Sequence, residues 1–258
     1  MKIIDSHAHL TFDMFKNDLE YVIKRSKRAG IIAIINPTVD SEDFIKALQI
    51  SKKYPNYIIP ALGLAPQTSN QEKLDTFFET IEKYRGMYVA IGECGLDYYW
   101  VTDPQQVKFM ETSFEKIVKI VSDYDLPIII HARTAHRKNA YLKIVNILKK
   151  NNINNAVFHA FFGKKSDIIE IIKNNWFVGI PSIYVRRTDL WPLIKEIPPE
   201  NMLIETDSPY LSPIKGTRNE PANVKKVLEI IAQVKNIDIN ELAEVIFTNT
   251  KTFFRLTI

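Results

Sequence analysis

Four of the five histidines in this chain of 258 residues, with one glutamate and one aspartate, fall where short apolar runs end. Lys2-Ile3-Ile4-Asp5 leads into His7-Ala8-His9, and Tyr88-Val89-Ala90-Ile91-Gly92 leads into Glu93. Pro127-Ile128-Ile129-Ile130 leads to His131, Ala156-Val157-Phe158 to His159, and Met202-Leu203-Ile204-Glu205-Thr206 to Asp207, which leaves out only His136. Imidazoles two residues apart share a face of an ideal strand, so His7 and His9 at a strand end can grip one ion. An isolated His-x-His pair carries little weight. Glu93 stands before Gly95 at the end of an apolar run, and a buried carboxylate there is costly unless cations neutralise it. Neutral imidazoles, one bridging carboxylate and one terminal aspartate suit two divalent metal ions, whether zinc, manganese or, less well, magnesium. Asp207 has a second possible task, accepting the proton of an attacking water, for which a positioned base contributes on the order of 10²- to 10⁴-fold. Capping a helix ahead of Pro209 is the competing role for Asp207, and Glu205 is a competing ligand. It is the conjunction of these residues that points to a metal centre.

Such a set needs a scaffold that brings distant strand ends together. Short runs, apolar on both alternations, recur at Lys2 to Asp5, Ile31 to Asn36, Tyr57 to Leu62, Met87 to Gly92, Leu126 to Ile130, Asn155 to Phe158, Trp176 to Ile180 and Met202 to Thr206. Each is too short for a helix, and the pattern fits a parallel sheet covered on both faces. Helical patterns run over Phe15 to Ala29, Ser41 to Lys53, Gln71 to Tyr84, Pro104 to Tyr124, Lys138 to Lys149 and Lys165 to Lys173, with two more near Ala222 to Val234 and Ile239 to Phe254. Ser41 ahead of Glu42 and Asp43, Asp103 before Pro104, and Asp238 with Glu241 mark helix starts. Strand and helix alternation with eight strands predicts an α/β fold, a single-domain (β/α)₈ TIM-type barrel over residues 1–258. An open doubly wound sheet shares the local pattern, but only a barrel gathers the C-terminal ends of strands 1, 4, 5, 6 and 8 at one mouth.

The segments Asp5-Ser6-His7-Ala8-His9-Leu10, Gly92-Glu93-Cys94-Gly95-Leu96-Asp97-Tyr98-Tyr99, His131-Ala132-Arg133, His159-Ala160-Phe161-Phe162-Gly163 and Glu205-Thr206-Asp207-Ser208-Pro209-Tyr210-Leu211 appear in this order, followed by Arg218-Asn219-Glu220-Pro221. Together they resemble the motifs of the TatD family of metal-dependent hydrolases along nearly the whole chain. The resemblance implies a (β/α)₈ barrel, a binuclear divalent site, a cytoplasmic location and deoxyribonuclease activity, often releasing nucleotides from 3′ ends. It also implies one ion held by His7, His9, Glu93 and Asp207 and a second held by Glu93, His131 and His159. Asp207 and Glu93 are then the catalytic candidates, and DNA or another phosphodiester is the expected substrate. A related hydrolase acting on an ester or amide, such as an aminoacyl-tRNA deacylase, is the alternative. A nucleic-acid-binding protein without catalysis fits less well, because every ligand position is filled.

Departures from the family pattern fall on substrate contacts. After the third strand the chain reads Gly63-Leu64-Ala65-Pro66-Gln67, where the family has a Gly-x-His-Pro-His stretch. Trp100 stands where a basic residue is common, and Lys215 in the short loop Ser212 to Gly216 replaces a usual arginine. Arg133 could hold a phosphate in its planar fork or pair with a carboxylate. Tyr98, Tyr99 and Trp100 could stack an unpaired base or form a packed loop. Lys24-Arg25 with Lys27-Arg28 reads as a solvated helix face, and Cys94 as a small buried residue. Lysine and arginine number 34 against 30 acidic residues, an excess of +4 that does not by itself imply nucleic acid. One cysteine excludes an internal disulfide, and no signal-like segment precedes the first strand, so the cytoplasm is the expected compartment. No apolar run nears the roughly 20 residues that span a bilayer. Neither a membrane nor an obligate protein partner is expected.

Overall fold

The computed structural model describes residues 1–258. Eight strands alternate with helices: β1 (Ile3–Asp5), α1 (Leu19–Arg28), β2 (Ile31–Pro37), α2 (Ser41–Lys53), β3 (Ile58–Ala61), α3 (Gln71–Lys83), β4 (Ile91–Asp97) and α4 (Pro104–Tyr124). Next come β5 (Ile128–Arg133), α5 (Ala140–Lys150), β6 (Ala156–Phe158), α6 (Lys165–Lys173), β7 (Phe177–Pro181), α7 (Trp191–Glu196), β8 (Met202–Glu205), α8 (Val224–Lys235) and α9 (Ile239–Phe254). Parallel ladders run through β1-β2-β3 and through β4-β5-β6-β7-β8. Two seams join them. Between β3 and β4, Leu62 N donates to Ala90 O at 3.1 Å and Gly92 N to Leu62 O at 2.7 Å. Between β8 and β1, Ser6 N donates to Ile204 O at 3.1 Å, Asp207 N to His7 O at 2.9 Å and His9 N to Ser208 O at 2.7 Å. The sheet therefore closes on itself into a (β/α)₈ barrel, as the strand and helix alternation predicts.

Side-chain alternation sorts the apolar strand residues into two shells. Ile4, Ile35, Ile59, Ile129, Val157 and Leu203 pack together inside the barrel. Their neighbours Ile3, Ile34, Ile58, Ile128, Phe158 and Met202 pack outward against the helices. Phe253 and Phe254 of α9 join the inner shell and close the end of the barrel. The same period of two carries inward-facing positions from Ile129 to His131, from Val157 to His159 and from Leu203 to Glu205.

The helix boundaries follow their caps. Asp40, rather than Ser41, caps α2 by accepting from Asp43 N, while Asp103 and Asp238 cap α4 and α9 as anticipated. Asn139 caps α5 through Leu142 N, so Lys138 lies outside the helix. The expected helix from Phe15 begins only at Leu19, after a 3₁₀ turn at Asp13–Phe15. Helix α7 has no counterpart in the sequence reading, being six residues long with a proline in its first turn. Two strands are shifted toward the mouth: β4 runs from Ile91 through Glu93 to Asp97, and β5 passes through His131 to Arg133. In β4 the cause is at Gly92, where the expected run ended, and at Gly95. Gly95, at φ 153°, sits where a Cβ would lie 1.9 Å from His131 O, so only glycine lets β4 and β5 approach this closely.

Candidate metal centre

At the C-terminal ends of the strands, six side chains turn their donor atoms toward one another. His7 and His9 come from the turn after β1, Glu93 and His131 from within β4 and β5, and His159 and Asp207 from just beyond β6 and β8. His7 Nε2 and His9 Nε2 are 3.2 Å apart, and Asp207 Oδ1 lies 3.7 Å and 3.5 Å from them. A second group has His131 Nδ1 and His159 Nε2 3.2 Å apart. Glu93 Oε2 joins the two groups, at 2.8 Å from His159 Nε2, 3.6 Å from His131 Nδ1 and 3.6 Å from His7 Nε2. Two nitrogens each bound 2.0–2.1 Å from a tetrahedral ion stand roughly 3.3 Å apart, which is close to the spacing in both pairs. The residues present therefore fit divalent metal, with one carboxylate oxygen reaching donors of both groups.

Outer hydrogen bonds orient the rings. His9 Nδ1 faces Pro37 O at 3.2 Å, and His131 Nε2 faces Asp97 Oδ2 at 2.9 Å. Each contact uses the far nitrogen as a donor, which turns the near nitrogen toward the centre, where an ion would take the place of its proton. Asp97 is itself held, accepting from Gln67 Nε2 at 2.7 Å and from the Tyr99 and Trp100 backbone N–H groups. The rings of His7 and His159 stack at 4.0 Å, and the Nδ1 atoms of both are buried without a hydrogen-bond partner. Glu205 lies beneath His159, 3.8 Å from that Nδ1, and accepts from Ala160 N at 2.5 Å. Asp207 adopts a left-handed backbone at φ 56°, which an aspartate tolerates and which redirects the chain as it leaves β8.

The donors differ in charge: His7 favours the neutral imidazole, whereas His9 and His131 are held, against burial, toward the protonated form by the carboxylates beside them. Burial, reinforced by the imidazoles of His159 and His9, holds His7 well below the usual histidine range, so it is a neutral donor. Burial opposes ionisation of Glu93, but the imidazole of His159 at 2.8 Å and that of His131 nearby outweigh it and hold its carboxyl well below the usual range. For His131, burial is outweighed by the hydrogen bond to Asp97 and the nearby carboxylate of Glu93, which raise it to about 10. Burial and the nearby Asp207 push Glu205 well above its ordinary value. Glu205 is thus poised to be neutral beneath the centre, whereas Asp207 approaches His7 and His9 directly.

A cavity of about 730 Å³ opens from His131, His159 and Asp207, and its wall includes Arg133, Arg137, Lys138, Lys164 and Arg187. Arg133 lies on this wall, two residues past His131, with its guanidinium 4.1 Å from the centre of the Tyr99 ring. It makes no ion pair. Tyr98 does not suit the substrate-stacking role expected of it. Its ring is buried, with 2% of its surface exposed, and its hydroxyl donates to Glu111 Oε1 at 2.6 Å. Tyr99 and Trp100 are the exposed aromatics instead. The turn at the end of β4 explains the change, since Asp97 and Tyr98 are still buried while Tyr99 and Trp100, whose N–H groups donate to Asp97, face solvent. Ala65 is also buried, while Gln67 is exposed and reaches toward the centre, 3.4 Å from His131 Nε2. His136 is exposed in the loop before α5, and Cys94 is buried with its thiol 3.9 Å from Ile129 O. Asp97 is a functional residue beyond those expected from the sequence; its signal there is a carboxylate four residues past Glu93, immediately before the tyrosine pair.

Comparison with known proteins adds the family. A family model described as TatD related DNase matches residues 4–255. The chain is 31% identical to the human protein named deoxyribonuclease TATDN3 over 264 residues, covering 98% of this chain and 94% of that one. It is 32% identical to the Bacillus subtilis protein named uncharacterized metal-dependent hydrolase YabD, covering 98% and 99% of the two chains. The crystal structure of YjjV, a TatD homolog from Escherichia coli, matches with a TM-score of 0.88 at 27% identity and covers 98% of both chains.

Proposed function

The chain belongs to the TatD family of metal-dependent hydrolases, and on that footing we propose that it is a deoxyribonuclease releasing nucleotides from the 3′ end of a strand. The observation that carries this reading is Glu93 Oε2, placed within 3.6 Å of donors in both ligand groups. Two divalent ions, one held by His7, His9, Glu93 and Asp207 and one by Glu93, His131 and His159, would supply Lewis-acid polarisation and acidify an attacking water. Asp207 accepts the proton of that water; apart from the imidazoles of His7 and His9, no donor of the protein engages its carboxylate. Asp97 keeps His131 turned so that Nδ1 faces the centre. Arg133, free of any carboxylate partner, offers its fork to a phosphate on the cavity wall. We place DNA as the substrate, the cytoplasm as the compartment and residues 1–258 as one catalytic unit. No helix is long and apolar enough to cross a membrane.

The test pairs two substrates. Nucleotide release from a 3′-labelled single strand should be abolished by a chelator and restored by manganese, zinc or magnesium. Asp207→Asn should lower kcat by about 10²- to 10³-fold while leaving KM near its original value, since the amide cannot take a proton. Deacylation of a charged tRNA without any release from DNA would assign the chain to the ester alternative.

A further inference from the structure

The small positive charge of the chain hides a strong local asymmetry. Residues 126–166 contain eight of the 34 lysines and arginines and none of the 30 acidic residues. The remainder therefore carries 26 basic residues (34 less 8) against 30 acidic ones, an excess of acid. This acid-free segment supplies β5, α5, β6 and the loop entering α6, which flank one side of the mouth. Of its eight cations only Lys143 and Lys165 pair with carboxylates, Glu111 at 2.5 Å and Glu196 at 2.9 Å. Arg133, Arg137, Lys138, Lys149, Lys150 and Lys164 are exposed and unpaired.

All of these but Lys149 lie along a continuous path. The cavity that opens from His131, His159 and Asp207 includes Arg137 and Asn139 in its wall. The same two residues begin a second depression, of about 560 Å³, which continues over Leu142, Lys143, Asn146, Ile147 and Lys150. Lys143, Asn146, Ile147 and Lys150 fall at i, i+3, i+4 and i+7, so they share one face of α5. Spanning 11 residues, α5 is roughly 16 Å long, enough to hold charge well outside the metal centre. No acidic residue lines the second depression.

We propose that this face of α5 is a binding track for the phosphate backbone of single-stranded DNA, holding the part of the strand upstream of the end that enters the mouth. The proposal rests on the deoxyribonuclease reading for the identity of the strand. Arg137 and Lys150, both unpaired, with Lys143 between them sharing its charge with Glu111, attract a polyanion by counterion release, with an affinity that falls with salt according to the number of phosphates neutralised. The exposed Tyr99 and Trp100, with Arg133 over the Tyr99 ring, favour unpaired bases over a duplex at the mouth.

The test uses metal-loaded protein and phosphorothioate-linked single strands of about twelve and about three nucleotides, read by fluorescence anisotropy. Asn146→Glu with Lys150→Glu reverses the charge of the track on an exposed face, and Gln49→Glu with Lys52→Glu makes the same net change on α2. The track variant should bind the long strand about tenfold more weakly, with a shallower salt dependence, while binding of the short strand and hydrolysis of bis(p-nitrophenyl) phosphate stay unchanged. The α2 variant should alter the long strand by less than about twofold. Equal losses in the two variants, or a parent protein that holds the long strand no more tightly than the short one, would overturn the track, as would RNA of the same length binding more tightly than DNA. A parent that cleaves no DNA but shows the variant-dependent binding would overturn the nuclease reading alone and leave the track standing.

Discussion

The floor of the mouth and its wall meet at His131 and are built differently. On the floor, His7, His9, Glu93, His159 and Asp207 are buried, and each lies within 4.0 Å of another member of the set. On the wall, Arg133, Arg137, Lys138 and Lys164 are exposed long side chains whose charged ends reach no carboxylate. Buried donors at fixed spacing select an ion by geometry, and moving one of them exposes a cost the others cannot absorb. Mobile surface cations act through summed charge, so each can be lost at modest cost. The floor should therefore fail all at once and the wall by degrees.

Glu93→Gln would strain this contrast most. An amide cannot supply the charge that joins the two groups, so metal content should fall at both positions and kcat by on the order of 10⁴-fold. Elemental analysis decides it: two ions per chain with near-normal turnover would mean that the floor does not act as a unit. Asp97→Asn sharpens the boundary, because Asp97 touches His131 and not the centre itself. Metal affinity should drop by about 10- to 100-fold with the fold intact, as measured by competition with a chelating dye. Unchanged affinity would assign Asp97 to holding the Tyr99 and Trp100 loop alone. Arg133→Ala should be the mildest, raising KM for a short strand about tenfold with kcat and metal content nearly constant. A collapse of kcat there would place Arg133 with the floor.

The same division explains what could be read from the sequence. His131, His159 and Glu205 were legible because each continues the inward alternation of Ile129, Val157 and Leu203. His7 and His9 were legible by spacing, Asp207 by its position after the last strand. The shift of β4 was not, because Gly92 and Gly95 carry the signature of a strand end and the close approach to β5 that they permit appears only in three dimensions. The wall was hardest: burial of Tyr98 and exposure of Tyr99 depend on the path of a loop, and no periodicity specifies that path. Gln67 departs visibly from the family pattern, but its hydrogen bond to Asp97 joins residues 30 positions apart that no local rule connects.

Residues far apart in the chain meet at the seam between β1 and β8. Asp5 accepts from the backbone and hydroxyl of Thr206, 201 residues further on, and Asp207 N bonds to His7 O across the same join. The first and last strands of the barrel thus share one ligand group. While the ribosome is still making the chain, His7 and His9 have left it long before Asp207 is added, and neither half can form the centre alone. Nuclease activity is in this way tied to synthesis of the eighth strand, and a prematurely terminated product that lacks Asp207 lacks the completed group.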